Sequence, residues 1–494
     1  MLSRYRYALL SAAVALLMLV QTSKQLWIGD FWEHAAVVRE LATNPVSPRH
    51  PQILSDAPHA FYSPYAVVAG WISRAAGMDC LRTLAVLGIA NLALLLISLW
   101  MFSIALLRRR EAAFYVLLFT LVLWGRSAWT FSGFFHLHAL GYVLPYPSTF
   151  AAAIALLGSS IYCKALRTGN RLGLVPVALA SVVVALTHPP TFIFFCVCIL
   201  SLTAGIPSGR LPFREYAGLL ACVFILPLIA ATCWPYYPFF QLLLQDSSLY
   251  HANNMDMYSD VVKHIWPAFL GIPLIVWRFK SNKTDPLFLI TAVLSLVYAY
   301  GALSHHWTYG RVISYIVLML HMAMADAAAR AETLLRGRLL SPSSLKLAAA
   351  SLVAVMALVF LYRARPVLIR CFRPTEVSEY DRYRFLSGAT PQYDVVLSDL
   401  ATSWYVPAFA GKVVAVPRPM PFVPDSAVRT DDVQRFFSES GLRPEREAII
   451  RKYNVKWLLL NKENVPGWAT ISQSFRDGAE ITLSNNQFVL MHLR

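Results

Sequence analysis

An acidic, imidazole-bearing cluster follows the first apolar stretch of the chain. The run Gly29-Asp30-Phe31-Trp32-Glu33-His34 comes shortly after the apolar residues 7–20. In a helix, Asp30, Glu33 and His34 occupy positions i, i+3 and i+4 and share one face. Such convergence suits a group that accepts a proton or holds a metal ion. The alternative is that Asp30 caps the next helix with Glu33 as its capping-box partner, and the motif alone leaves both open.

The composition places this cluster in a membrane protein. Of the 494 residues, 57% are hydrophobic and 14% are charged, whereas a soluble domain carries about a quarter charged residues. A polytopic α-helical fold follows, because the backbone must satisfy its own hydrogen bonds inside a bilayer. The net charge of +16 lies in short clusters between apolar stretches, which indicates topology signals rather than nucleic-acid binding. The seven cysteines contain no Cys-x-x-Cys motif, so no disulfide framework is expected.

About eleven apolar stretches are long enough to count as candidate transmembrane helices. Lysine and arginine cluster in alternate loops, which predicts a cytoplasmic N-terminus that is an uncleaved signal anchor. The intervening loops and the C-terminal region then lie on the outer side, the periplasm of a bacterial inner membrane. The stretches are residues 7–25, 84–107, 112–129, 149–163, 172–186, 191–206, 216–234, 265–277, 286–303, 313–329 and 347–362.

Two outer segments have their own character. The first outer loop, about residues 26–82, is too polar to span and too apolar to be disordered, so amphipathic helices at the interface are expected. Residues 374–494 have the composition of a soluble domain. Apolar runs at 394–397, 412–416, 457–460 and 488–493 predict strands, and 431–440 and 445–453 have helical spacing. The predicted domains are therefore a membrane module, 1–373, and an outer α/β domain, 374–494.

Histidines and arginines concentrate on the predicted outer side. Ten of the twelve histidines map there, which suggests a polar cavity open to that side. Arg311, next to His305 and His306, suits a phosphate group, and Arg126 is a second basic residue at the outer end of a span. The ten histidines are His34, His50, His59, His136, His138, His188, His251, His264, His305 and His306.

A divalent metal is a possible further component. Asp30, Glu33 and His34, or the pair His136 and His138, carry suitable ligand atoms. No spacing in the sequence requires a metal.

The architecture and these motifs resemble the GT-C superfamily of membrane glycosyltransferases. Asp30 in Asp-Phe-Trp-Glu-His is similar to the catalytic aspartate that this superfamily carries in its first outer loop. Residues 56–65 resemble the second part of that loop, and residues 395–414 resemble the outer domain of several bacterial members. The Trp-Trp-Asp signature of oligosaccharyltransferases is missing from the sequence, which argues against protein N-glycosylation.

The resemblance implies transfer of a hexose or pentose from a polyprenyl-phosphate carrier to a glycan, lipid or protein acceptor on the outer face. Asp30 would act as general base in an inverting single displacement, with Glu33 and His34 orienting it or the acceptor. Arg311, His305, His306 and Arg126 would bind the donor phosphate. Asp56, Tyr62, Tyr65, His136 and His138 would bind substrate.

Three other functions are compatible with a multispan chain. A lipid-linked glycan flippase or transporter should show an internal repeat with matching interrupted spans, and none is visible. An O-antigen-type polymerase or ligase typically centres on a large loop between late spans, whereas the largest outer segment here is terminal. A membrane scaffold has no need of so many acidic, imidazole and basic groups on one side.

Overall fold

The computed structural model describes residues 2–206, 213–244, 252–337, 342–372 and 378–494. The chain divides into two compact units. The first, here called the bundle unit, comprises Met1–Lys24, Val86–Cys233 and Asp246–Pro374. The second, the sheet unit, comprises Gln25–Ala85, Trp234–Gln245 and Thr375–Arg494. The predicted domain boundary at 373 and 374 lies outside the described residues, so the division into 1–373 and 374–494 stays a prediction.

The bundle unit is built from helices. Several of them begin with proline in the first turn, where the missing N–H costs no hydrogen bond. The helices that lie in this unit, or enter it from the sheet unit, are Leu2–Ser23, Cys80–Leu107, Arg110–Val122, Leu137–Val143, Pro147–Thr168, Leu174–Thr187, Pro189–Gly205, Phe213–Thr232, Val261–Ile265, Ile272–Ser281, Pro286–Leu303, Ile313–Gly337 and Pro342–Phe372. Turns of 3-10 helix occur at Arg171–Gly173, Ala252–Tyr258, Trp266–Gly271 and Trp307–Val312.

Within the described residues, five helical segments are long and apolar enough to cross a bilayer. They are Tyr5–Ser23, Cys80–Leu107, Pro147–Thr168, Pro286–Leu303 and Trp307–Leu334. Three shorter apolar helices accompany them, namely Arg171–Thr187, Pro189–Gly205 and Leu220–Thr232. The chain is therefore a largely helical protein with membrane-spanning character, and the number of about eleven spans stays a prediction.

One end of the bundle unit carries a buried ion-pair network. The Asp326 side chain is 3% exposed and lies 2.8 Å from Arg278 and 2.9 Å from Arg330. Arg278 also pairs with Asp285 at 2.6 Å. These arginines belong to the basic clusters that the sequence interprets as topology signals, and together they also compensate the buried carboxylate of Asp326.

The sheet unit contains a five-stranded mixed sheet. The strands are β1 (Val395–Leu397), β2 (Lys412–Val413), β3 (Val455–Asn461), β4 (Ala479–Ser484) and β5 (Phe488–Leu493), in the order β2-β1-β3-β5-β4. Strand β1 pairs in parallel with β2 and β3, whereas β5 runs antiparallel to β3 and β4. The helices of this unit are Phe31–Thr43, Pro64–Ala76, Phe239–Leu244, Glu379–Tyr383, Leu386–Ala389, Leu400–Ser403, Val406–Phe409, Ser426–Phe437, Arg443–Lys452 and Trp468–Ser474.

The predicted amphipathic segment of the first loop forms two packed helices, Phe31–Thr43 and Pro64–Ala76. Ser63 caps the second helix through its hydroxyl, which accepts a hydrogen bond from the Ala66 N–H. A Cβ atom at Gly70 would lie 2.5 Å from the Leu41 Cβ. Only glycine therefore permits the two helices to approach this closely, and that contact fixes the helix that begins with the acidic motif.

Candidate functional site

Asp30 occupies the N-cap position of helix Phe31–Thr43, but its side chain makes no capping hydrogen bond. Its Oδ1 atom instead lies 2.6 Å from Nη1 of Arg418, and 34% of the Asp30 side chain is exposed. The backbone at Gly29 has φ 63°, a left-handed conformation that glycine adopts without strain. The sequence left open whether this aspartate caps the helix or takes part in chemistry. Its side chain does not cap the helix.

Glu33 lies one turn further along the same helix and is held by two groups. Its Oε1 atom is 3.3 Å from His59 Nε2, and its Oε2 atom is 3.8 Å from Arg418 Nη1. The backbone N–H of Phe61 donates to His59 Nδ1 at 3.2 Å. Because Nδ1 accepts that bond, the neutral ring carries its proton on Nε2 and donates it to Glu33. The two carboxylates of the motif therefore converge on Arg418, and His59 orients the second one.

Arg418 is itself fixed by an aromatic ring. Its guanidinium carbon lies 4.7 Å from the ring centre of Trp404, which favours a cation–π contact. The indole N–H of Trp404 donates to the Gly29 carbonyl oxygen at 3.1 Å. The same C-terminal segment thus holds both the backbone just before Asp30 and the cation that faces the Asp30 carboxylate.

His34 is buried against an aromatic ring. It is 9% exposed, and its ring stacks on Phe61 with centroids 4.8 Å apart. Burial lowers the pKa of His34 to about 4, although the neighbouring carboxylates of Asp30 and Glu33 act to raise it. The imidazole is therefore neutral at pH 7, and its ring packs against Phe61.

A buried pair anchors the rest of the first loop. Lys412 donates to Glu40 Oε2 at 2.7 Å and to the carbonyl oxygens of His50 and Pro51 at 2.9 and 3.0 Å. Burial acts to raise the pKa of Glu40, but Lys412 outweighs it and the net shift is downward. Burial lowers the pKa of Lys412 to about 8, so the pair is ionised at pH 7. Strand β2 is thereby joined to the helix that carries the motif.

The predicted substrate-binding residues of the first loop lie in different environments. The Asp56 side chain is 91% exposed and lies 3.4 Å from Arg49. Tyr62 is fully buried, donates its hydroxyl hydrogen to the Arg49 carbonyl, and packs edge-on to His59 with ring centroids 5.9 Å apart. Tyr65 is buried in the first turn of helix Pro64–Ala76. Their substrate contacts stay predictions.

The predicted phosphate-binding residues belong to the bundle unit. Arg311 donates to Ser132 Oγ at 2.6 Å and to Asn254 Oδ1 at 3.1 Å. His305 and His306 are exposed at the turn before the 3-10 segment Trp307–Val312, and Arg126 is exposed as well. Of the ten histidines assigned to the outer side, His251 lies outside the described residues.

His136 and His138 have protein partners. His136 Nδ1 accepts the Ala139 N–H and caps helix Leu137–Val143, and its Nε2 lies 2.7 Å from the Trp129 carbonyl oxygen. His138 Nδ1 lies 3.2 Å from Nη2 of Arg370, whose guanidinium also lies over the Tyr142 ring. Arg370 was not singled out from the sequence, because an arginine near the end of an apolar span is typical of interfacial anchoring.

The side chains at the motif do not fit a metal ion. Both Glu33 oxygens face hydrogen-bond donors and Asp30 Oδ1 faces a guanidinium, so a cation would have to displace Arg418. Neither ring nitrogen of His136 is available, because both make hydrogen bonds to the backbone. Across the part of the chain that the structure describes, no group of three or more metal-ligating side chains converges.

Comparisons with known proteins give a fold but no close sequence relative. No protein-family model matches the sequence, and no curated protein matches it significantly. The oligosaccharyltransferase of Archaeoglobus fulgidus in its apo form superposes with a TM-score of 0.55 at 13% identity, covering 93% of this chain and 70% of that one. The same organism's AglB, in complex with an inhibitory peptide and a dolichol-phosphate, gives 0.53 at 12% identity, covering 97% and 75%.

A third similar structure is the arabinofuranosyltransferase AftD from Mycobacteria. Its TM-score is 0.50 at 14% identity, and the match covers 94% of this chain but 40% of AftD. The archaeal and mycobacterial enzymes are both GT-C membrane glycosyltransferases. At these identities the likeness establishes the fold alone. The chain therefore shares its fold with these membrane glycosyltransferases.

Proposed function

We propose that this protein is an inverting glycosyltransferase that moves a hexose or pentose from a polyprenyl-phosphate carrier to an acceptor hydroxyl. One observation carries the proposal. Asp30 lies in the motif that resembles the catalytic motif of the GT-C superfamily. Its side chain is partly exposed and makes no helix-capping hydrogen bond. The proposed setting is a bacterial inner membrane, with the acceptor on the periplasmic side.

Asp30 is the proposed general base. The acceptor hydroxyl loses its proton to the Asp30 carboxylate while its oxygen forms a bond to the anomeric carbon. The bond between that carbon and the carrier phosphate breaks on the opposite side, and its electron pair leaves with the phosphate oxygen. This single displacement inverts the anomeric centre. Glu33, held by His59 and Arg418, completes an anionic surface that accepts hydrogen bonds from acceptor hydroxyls.

The donor phosphate gains negative charge as it departs, so basic groups favour that step. The residues proposed to bind it are Arg311, His305, His306 and Arg126 of the bundle unit. Arg311 is oriented by the neutral acceptors Ser132 and Asn254. A dolichol-phosphate is present in one solved AglB complex, which supports a lipid-phosphate carrier here. The acceptor is a glycan, a lipid or a protein.

The test is transfer of radiolabelled sugar from a panel of polyprenyl-phosphate sugars by purified protein in nanodiscs. Asp30→Asn should lower turnover by about 10²- to 10⁴-fold, the usual contribution of a general base. The matched control is Asp79→Asn, because Asp79 caps the helix that begins at Cys80 by accepting the Arg82 N–H and asparagine caps equally well. Equal turnover by Asp30→Asn and wild type would exclude the proposed base. No transfer from any donor, by protein that still binds polyprenyl lipid, would favour a flippase.

A further inference from the structure

The Arg418 side chain occupies the position between the carboxylates of Asp30 and Glu33. Arg418 Nη1 lies 2.6 Å from Asp30 Oδ1 and 3.8 Å from Glu33 Oε2. A divalent cation bound by these two carboxylates would need the same position, since hard cations bind carboxylate oxygens at about 2.0–2.6 Å. The guanidinium and a metal ion therefore exclude each other.

The surroundings hold the guanidinium in that position. The Arg418 guanidinium carbon lies 4.7 Å from the ring centre of Trp404. The Trp404 indole N–H donates to the Gly29 carbonyl oxygen. The remaining Glu33 oxygen is engaged by His59, whose proton is fixed on Nε2 by the Phe61 N–H. Displacing Arg418 would break the pair with Asp30 and the aromatic contact together. The arrangement is thus built around the guanidinium group and not around a metal ion.

Resting on the function proposed above, we propose that Arg418 is a positioning residue that takes the place of a divalent metal at Asp30 and Glu33, so that sugar transfer needs no bound metal ion. Arg418 holds Asp30 Oδ1, which leaves the other carboxylate oxygen to meet the acceptor hydroxyl. It also offsets the repulsion between two adjacent carboxylates.

Transfer assays test the proposal first. Wild-type turnover should be unchanged by EDTA. Arg418→Ala should lose about 10- to 100-fold in kcat, as is usual when a group orienting a reactive residue is removed, and millimolar guanidinium ion should restore part of that loss. Arg418→Lys should retain intermediate activity because it keeps the charge without the planar fork. A purely structural role would not give rescue by a small cation.

Arg429→Ala is the matched control. Arg429 also pairs with a carboxylate, Asp425 at 2.9 Å, and lies over an aromatic ring, Tyr453 at 5.1 Å. In the described part of the chain it contacts neither Asp30 nor Glu33. This variant should keep wild-type kcat and should not respond to guanidinium. Thermal unfolding of each variant separates loss of fold from loss of positioning.

A binding measurement separates this proposal from the enzymatic one. The purified full-length protein is titrated with Mn²⁺, and binding is followed by electron paramagnetic resonance. Wild type should show no saturable Mn²⁺ site that depends on Asp30, so its titration should match that of Asp30→Asn. Such a site, or abolition of wild-type transfer by EDTA with recovery in Mn²⁺, would overturn the metal-free role. Wild-type or faster transfer by Arg418→Ala would overturn positioning. If wild type transfers no sugar at all, the proposed glycosyltransferase function is refuted. The Mn²⁺ titration would still decide whether Arg418 or a metal ion occupies the position between Asp30 and Glu33.

Discussion

The Lys412 ammonium lies 2.7 Å from a carboxylate oxygen of Glu40, with 2% and 0% of the two side chains exposed. The pair joins strand β2 to the helix that begins with the acidic motif. Glu40 also accepts hydrogen bonds from the Arg49 N–H at 3.0 Å and from Asn44 at 3.2 Å. The position of Asp30 thus depends on a buried ion pair further along the same helix.

Removing one partner of this pair should destabilise the protein strongly. Glu40→Gln or Lys412→Met leaves the other group buried without compensation, which typically costs about 3–5 kcal/mol. Glu447→Gln is the control, since its pair with Arg443 is exposed and contributes about 0–1 kcal/mol. Unfolding of the purified protein in denaturant measures both. Equal stabilities of Glu40→Gln and Glu447→Gln would show that the buried pair does not hold the loop.

His59 should affect turnover through Glu33 rather than through stability alone. His59→Leu removes the Nε2–H that faces Glu33 Oε1 at 3.3 Å, so the carboxylate loses one of its two supports. We expect a fall in kcat of about 10-fold or more, with a smaller change in donor KM. His59→Gln can still donate and should retain more activity. If both variants lose the same activity, the histidine acts by packing and not by donating to Glu33.

The sequence predicted the elements of the sheet unit well where burial is regular. The apolar runs at 394–397, 412–416, 457–460 and 488–493 each contain a strand or part of one. Strand β4, Ala479–Ser484, was missed because most of its residues are exposed and an edge strand needs no apolar pattern. The helix Trp468–Ser474 was missed because it is short and buries only Ile471.

The sequence predicted only part of the side-chain arrangement at the motif. Spacing along one helix brings Asp30 and Glu33 to one face, and the structure has both facing Arg418. His34 has the right spacing, but it packs on Phe61 because burial, not periodicity, decides where its ring lies. Arg418 sits in the turn Pro417-Arg418-Pro419 after an apolar run. Its partner lies near the other end of the chain, and only tertiary folding joins them.

Acid should destabilise the sheet unit through His34. Burial lowers the pKa of His34 to about 4, whereas an unfolded histidine has a pKa of about 6.5. Between these values the unfolded state binds more protons, so stability rises with pH and is lost as the pH falls from 6.5 towards 4. At pH 5 the loss from this residue is roughly 2 kcal/mol. His34→Gln should therefore lose less stability than wild type between pH 7 and pH 5. Thermal unfolding at the two pH values measures the difference, and parallel losses would contradict it.

Arg311 should affect binding of the donor. Arg311→Gln removes the positive charge that Ser132 and Asn254 orient, and a charge-assisted hydrogen bond contributes about 1.5–3 kcal/mol. The KM for the polyprenyl-phosphate sugar should rise by about 10- to 100-fold, and Ser132→Ala should raise it less. Arg435→Gln is the control, because Arg435 is an exposed arginine that pairs with Asp432 in the sheet unit. Direct binding of the sugar-free polyprenyl phosphate should weaken in parallel with KM. An unchanged affinity for that lipid, with a lower kcat, would show that Arg311 acts elsewhere than on the donor phosphate.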